Sequence, residues 1–308
     1  VEFGPAPDDP RTTSYISQLH SPDFIPAANL PGAPWFFGGD THFGRHVADL
    51  LSNPAQARRI DSAILDITGG GPLVLNLEGV MIDDPPTFDD PAPRIAMPVS
   101  ATLDRLRRWN VRAAVLANNH SLDFGPQALE SMTAQLRSAG ITPLRDGTTA
   151  DLGKFTLAAA TDLQNQPRPR DYLLGPTSFE AWADADQGKP LIAFLHCGRE
   201  FRAPPTARVH LLAEWAEQAG ASVVLGAHPH RPSPRWFLGE RSLQFPSLGN
   251  LLFDQTNPLN SGGLVELRFF PQGTFAARWI PLGNLYRAAA SATRRAAIRP
   301  SEIGHSGS

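Results

Sequence analysis

Five short apolar runs along this chain each end on a word built from Asp, His, Asn or Glu, and no other feature restricts its fold as much. Pro34-Trp35-Phe36-Phe37-Gly38-Gly39 runs into Asp40-Thr41-His42, and Pro72-Leu73-Val74-Leu75 runs into Asn76-Leu77-Glu78. Val111 to Leu116 leads to Asn118-Asn119-His120, and Leu191 to Leu195 leads to His196-Cys197-Gly198. Ser222 to Leu225 precedes His228-Pro229-His230. Apolar runs this short, bounded by turn signals, read as strands buried on both faces. In open α/β sheets ligands bind beyond the carboxyl ends of the strands, and all five words fall there.

Helical patterns separate the runs. Residues 46–67 read as helix broken near Pro54, and Ser100 to Trp109 as helix with Ser100 at its N-cap. Pro126 to Ala139 is closed by Gly140, a helix is expected around 178–185, and 206–219 ends at Gly220. A strand is expected at 155–160, and Gly38-Gly39 reads as the start of a tight loop. After residue 235 the pattern turns to strands alone, at Arg235–Leu238, Leu243–Phe245, Gly263–Phe270 and Thr274–Ile280. Strand–helix alternation followed by a run of strands predicts a mixed, two-sheet α/β sandwich. The expected organisation is an extended lead-in over 1–33, one domain over 34–286, and a polar tail over 287–308 with a short surface helix at most. Segments 81–98 and 163–170, rich in Pro and polar residues, read as loops, and a loop as long as the first is usually functional.

Composition narrows the function. A chain of 308 residues that is 42% hydrophobic buries a real core. A net charge of −3 and a pI near 6.3 exclude the dense basic face of a sequence-independent nucleic-acid binder. The single cysteine, Cys197, excludes an internal disulfide framework and a Cys-based zinc finger. No stretch approaches the roughly 20 apolar residues of a spanning helix. The polar, Pro-rich start has no signal-peptide core, so the chain as given is expected to be soluble and cytoplasmic, with a removed signal or anchor left open by its start at Val1.

The polar words have the chemistry of a two-metal site. Asp40 and His42 are spaced i, i+2, as are His228 and His230 around a stiffening Pro, so each pair can point to one side of an extended loop. Carboxylate, imidazole and amide donors together suit Mn, Zn or Fe better than Ca. The expected sets are Asp40, His42, Glu78 and His230 for one ion, and Glu78, Asn119, His196 and His228 for the other, with Glu78 bridging. Two such ions roughly 3.5–4 Å apart would polarise a substrate oxygen. His120 follows a ligand and stands as the candidate acid, with Asp123 orienting its ring. Arg45, Glu200 and Asn250 are the candidate substrate contacts, and Cys197 reads as a buried filler. A single His after a strand is more often a core residue than a ligand; the coincidence of five words carries the reading.

In order, these words resemble those of the CapA-type capsule-synthesis family of bacteria, named for poly-γ-glutamate capsules and similar to calcineurin-like metallophosphoesterases. The matching stretches are Gly39-Asp40 with Gly44-Arg45, Asn76-Leu77-Glu78-Gly79, and Ala117 through Gly125. They continue with His196 through Phe201, Gly226-Ala227-His228-Pro229-His230 and Ser247-Leu248-Gly249-Asn250. The resemblance implies a four-layer α/β/β/α sandwich of metallophosphoesterase type with two mixed sheets. It also implies that Glu78 stands where those phosphoesterases carry a bridging Asp. Two positions depart from the family's habit: His42 stands at a usually apolar position, and Cys197 replaces a frequent Trp.

The leading expectation is a dinuclear metal-dependent hydrolase of phosphoesters or of amides such as γ-glutamyl bonds. Two alternatives stand beside it. One is a metal-dependent peptide epimerase with a groove lined by 81–98 and 163–175. The other is a non-catalytic component of capsule assembly that binds polyglutamate, with Arg45, Arg94, Arg168 and Arg170 as candidate contacts. Each takes an anionic small molecule, peptide or polyglutamate as partner.

Overall fold

Side chains alternate across a strand, and here that alternation sorts the apolar residues into three separate cores that dictate the layers. The computed structural model describes residues 14–16, 32–84, 94–183, 188–270 and 275–297. In chain order its strands begin with β1 (Ser14–Ile16), β2 (Pro34–Thr41), β3 (Leu73–Leu77), β4 (Val80–Ile82), β5 (Ala96–Pro98) and β6 (Val111–Val115). Next come β7 (Thr142–Leu144), β8 (Thr149–Asp151), β9 (Thr156–Thr161), β10 (Leu163–Gln164), β11 (Arg170–Asp171) and β12 (Leu191–His196). The last are β13 (Ala221–Ala227), β14 (Phe237–Leu238), β15 (Leu243–Phe245), β16 (Asn250–Leu252), β17 (Gly262–Phe269) and β18 (Phe275–Gly283). The helices are α1 (Arg45–Ser52), α2 (Pro54–Thr68), α3 (Val99–Arg108), α4 (Gly125–Ser138), α5 (Glu180–Ala183), α6 (Ala207–Gln218) and α7 (Leu285–Ala297).

One sheet runs β1-β18-β17-β2-β3-β6-β7, with β16 beside β2; β2, β3, β6 and β7 are parallel. The other runs β14-β15-β13-β12-β9-β8, with β9, β12, β13 and β15 parallel and an antiparallel strand at each edge. Phe37, Val74 and Val115 of the first sheet meet Leu157, Ile192, Phe194 and Leu225 of the second in a dry core between them. On the outer face of the first sheet, Phe36, Leu73 and Leu75 pack with Val47, Ile60, Leu106 and Met132 from the helices. On the outer face of the second, Ala158, Ala193 and Leu195 pack with Trp182, Leu212 and Ala216. The architecture is therefore the expected four-layer α/β/β/α sandwich with two mixed sheets. Among the described residues no helix is long and apolar enough to cross a membrane.

Several local expectations are corrected. Gly38 and Gly39 do not open a loop; β2 continues to Thr41, and its register on β3 shifts between Gly38 and Asp40. Glycine is required at 39 because a Cβ there would lie 2.0 Å from the carbonyl oxygen of Gly249. Ser100 is not the N-cap of α3, which begins at Val99 after Pro98 with no side-chain cap; Pro98, at φ −62°, ends β5 and turns the chain into the helix. Segment 163–170 is not wholly loop, since β10 and β11 pair as an antiparallel hairpin. Of the helix expected at 178–185, the described residues form a short 3₁₀ turn, Pro176–Phe179, followed by α5, held by buried Phe179 and Trp182, while 184–185 lie outside the described residues.

The domain also outruns its expected end. Helix α7 crosses residue 286 and buries Leu285 and Ala289 in the core that holds α1 and α2. Within the expected lead-in, β1 pairs in parallel with β18, while residues 1–13 and 17–31 lie outside the described residues. So do 85–93 of the 81–98 segment and the tail from 298; the flanks of that segment pair as β4 and β5.

Candidate metal centre

The site forms where the core between the sheets runs out. On β3 the inward face carries Val74 and then Asn76; on β12 it carries Ile192, Phe194 and then His196. At the carboxyl ends the same parity that buries apolar side chains delivers polar ones. The register shift after Gly38 does this for Asp40, which lies opposite Asn76 across the β2–β3 ladder. Asp40, Asn76, Glu78 and His196 are fully buried, and they come from both sheets.

Asp40, Glu78 and His196 form a group whose ligand atoms lie within 4.8 Å of one another. Asn76 is the hub beneath them: its Nδ2 donates to Asp40 Oδ1 at 2.9 Å and lies 3.3 Å from His196 Nδ1. Its Oδ1 accepts from Asn118 Nδ2 at 3.3 Å. His196 Nε2 sits 2.7 Å from Asn119 Oδ1. The His228 backbone N–H donates to both oxygens of Asp40, at 3.2 and 3.1 Å. His230 Nδ1 lies 3.2 Å from Asp40 Oδ2 and 2.8 Å from Asn250 Oδ1, so both contacts fall on one ring nitrogen. His228 and His230 both hold positive φ, at 98° and 54°. Non-glycine residues persist there, at about 1–3 kcal/mol each, where surrounding structure over-determines them, commonly at functional sites.

The electrostatics are those of carboxylates and imidazoles buried against one another. Burial, and then the neighbouring Asp40 charge, raise the Glu78 carboxyl well above its ordinary 4.5, and neither of its oxygens has a hydrogen-bond partner. Burial alone would raise Asp40 too, but His230, His196 and His228 around it hold it well below the ordinary carboxylate range. Burial and the charge of His230 push His228 down to about 3, and its Nδ1 is buried without a partner. Burial, and next the His228 charge, lower His196 well below 6.5. Burial also acts against a charge on His230, but Asp40 and Glu78 overcome it and lift that ring to about 9. A buried carboxylate without donors beside a second carboxylate is costly unless something cationic pairs them. The orphaned Glu78 oxygens and the orphaned His228 nitrogen therefore fit a divalent cation, and the mixed oxygen and imidazole donors fit a transition metal.

Other candidates fall in different places. His120 Nδ1 lies 2.7 Å from Asp123 Oδ2, which also accepts from the Ile95 N–H at 2.8 Å, and His120 Nε2 lies 3.8 Å from Glu78 Oε1. Asn250, expected as a substrate contact, is buried and orients His230, with its Nδ2 donating to Gln255. Glu200 is exposed on the loop after His196, and its charge reaches Glu78. Cys197 lies in the outer core of the second sheet, where burial pushes its thiol up to about 12 and makes it inert.

His42 is not brought into the group. Its Nε2 lies 3.2 Å from Asp254 Oδ1 and its Nδ1 accepts from the Gly44 N–H at 3.2 Å, away from the group that Asp40, Glu78 and His196 form. Arg45, expected to face an anionic substrate, gives its guanidinium to the same Asp254, with Nε to Oδ2 at 3.0 Å. Nothing local in the sequence marks Asp254, because Phe253-Asp254 carries no pattern of its own. Asn76 and Asn118 stand inside two of the polar words, and strand parity is the signal that assigns them.

Two mixed sheets, with buried carboxylates and imidazoles gathered at their strand ends, make a candidate metal centre between them. Residues 35–154 and 177–255 match the family described as Bacterial capsule synthesis protein PGA_cap, and the chain belongs to that family. It is 21% identical over 270 residues to the Capsule biosynthesis protein CapA of Bacillus anthracis, a match covering 79% of this chain and 66% of that protein. The chain thus spans just under two thirds of that relative. Among solved structures it is similar to a hypothetical protein from Thermus thermophilus (TM-score 0.48, 14% identity, 80% of this chain and 99% of that one). It is also similar to a putative 5'-nucleotidase from Staphylococcus aureus (TM-score 0.49, 10% identity, 84% of this chain and 58% of that one).

Proposed function

We propose that this chain is a metal-dependent hydrolase of the capsule-synthesis family, acting on phosphoester or γ-glutamyl amide bonds of an anionic substrate. The observation that carries this reading is Glu78: fully buried, without a hydrogen-bond partner on either oxygen, and close to Asp40 and His196. The ligands would be Asp40, Glu78, Asn119, His196, His228 and His230, enough for two ions of Mn, Zn or Fe with Glu78 shared. When bound, such ions supply Lewis acidity to a substrate oxygen and to a water molecule. His120, whose Nδ1 lies 2.7 Å from Asp123 Oδ2, would move a proton between the site and a leaving group. Asn250 keeps the His230 Nδ1 occupied and so presents its other nitrogen. Asn76 holds the Asp40 and His196 side chains in register across the sheets.

The test is metal content by plasma mass spectrometry, with turnover of bis(p-nitrophenyl) phosphate and of a γ-glutamyl anilide. Wild type should carry transition metal that Glu78→Ala loses. His120→Ala should keep the metal and lose about 10²–10⁴-fold in turnover. Metal bound without turnover of either probe would refute the hydrolase and favour a binding role in capsule assembly.

A further inference from the structure

We infer that Asn165, on the β10–β11 hairpin, is the positioning residue that sets both side chains of the Asn119-His120 word. The inference rests on the metal-site reading above. The Asn165 backbone N–H donates to the Asn119 carbonyl at 3.2 Å, fastening the hairpin over the loop that follows β6. Its side-chain Oδ1 accepts from Asn119 Nδ2 at 3.2 Å, and its Nδ2 lies 3.3 Å from His120 Nε2.

The consequence follows from the chemistry of a carboxamide. The two ends of Asn119 have nearly the same shape, but only the oxygen end can bind a cation. An acceptor placed against Nδ2 turns the oxygen the other way, and here Asn119 Oδ1 points at His196 Nε2, 2.7 Å away. Asn165 is that acceptor. Its other end fixes the second side chain. His120 is gripped at Nδ1 by Asp123 and at Nε2 by the Asn165 amide, so the ring has one orientation.

The matched segments, 35–154 and 177–255, leave out 155–176, and the hairpin lies in that interval.

The two contacts can be separated by substitution. Asn165→Ala removes both, whereas Asn165→Asp keeps an acceptor for Asn119 Nδ2 and sets a carboxylate oxygen in place of the amide nitrogen beside His120 Nε2. Mn²⁺ or Zn²⁺ would be titrated into chelator-stripped protein against a fluorescent indicator, with Tm recorded to show that each variant is folded. Asn165→Ala should bind metal about 10–100-fold more weakly, the usual cost of losing a ligand's supporting partner. Asn165→Asp should bind metal no more weakly than wild type, yet lose about 10–100-fold in kcat with KM held. Wild-type metal affinity in Asn165→Ala, or equal weakening in both variants, would overturn the inference. Failure of the stripped wild type to take up either ion would instead overturn the metal-site reading, and this inference with it.

Discussion

Replacing Glu78 by Gln should stabilise the metal-free protein by an amount that grows with pH, and should abolish its stabilisation by metal. Glu78 is fully buried, its oxygens have no partner, and burial and then Asp40 raise its carboxyl well above 4.5. An acid raised in this way contributes its full stability below the unfolded value and loses it as pH rises through the folded one. Across that window each pH unit costs about 1.4 kcal/mol. Gln has no charge to lose, and its amide can donate to Asp40 as a protonated Glu78 would. At roughly 2–4 °C per kcal/mol for a domain of this size, the Tm gap between E78Q and wild type should open by roughly 3–6 °C per pH unit above 4.5, levelling off at the folded-state pKa. Differential scanning fluorimetry with chelator present, between roughly pH 5 and pH 8, reads this directly. Mn²⁺ or Zn²⁺ at about 100 times its Kd should then add about 2.7 kcal/mol to wild type and little to the variant, reversing their order. A gap that does not change with pH, or a variant that keeps the metal-induced shift, would refute the reasoning.

Two further expectations follow from the same group. His230, lifted to about 9, contributes stability fully present below 6.5 and lost as pH rises through 9; His228, pushed down to about 3, contributes stability present above 6.5 and lost as pH falls toward 3. The metal-free Tm should therefore decline less on the alkaline side in His230→Gln and less on the acid side in His228→Gln; profiles parallel to wild type would contradict both assignments. Because His42 packs on Asp254 and Gly44 outside the group of Asp40, Glu78 and His196, His42→Gln should keep the full metal content by mass spectrometry, and loss of an ion would return His42 to the ligand set.

Much of this is legible from the chain alone, and for a stated reason. Strands buried on both faces are written as unbroken apolar runs, so β2, β3, β6, β12 and β13 announce themselves, and the polar words mark their ends. Short strands packed at edges, such as β7, β8 and β16, have too few residues for a period to show. Asp40, Glu78 and His196 stand out because charged and imidazole side chains beside apolar runs need partners. Which partner each one meets is a different matter. Asp254 reaches His42 across 212 positions of sequence, and Asn165 reaches His120 across 45, and no local pattern encodes either meeting.

The sequence by itself determined the layered α/β class, the succession of the longer buried strands along the chain and the polar words at their carboxyl ends, because burial periodicity and polar interruptions are local properties. Tertiary structure alone decided that His42 turns to Asp254, that Asn250 serves His230, that α7 belongs to the core and that the hairpin brings Asn165 to the site. Those outcomes depend on the register shift in β2 and on the approach of two sheets across a dry core, and both are set by packing between segments far apart in the chain.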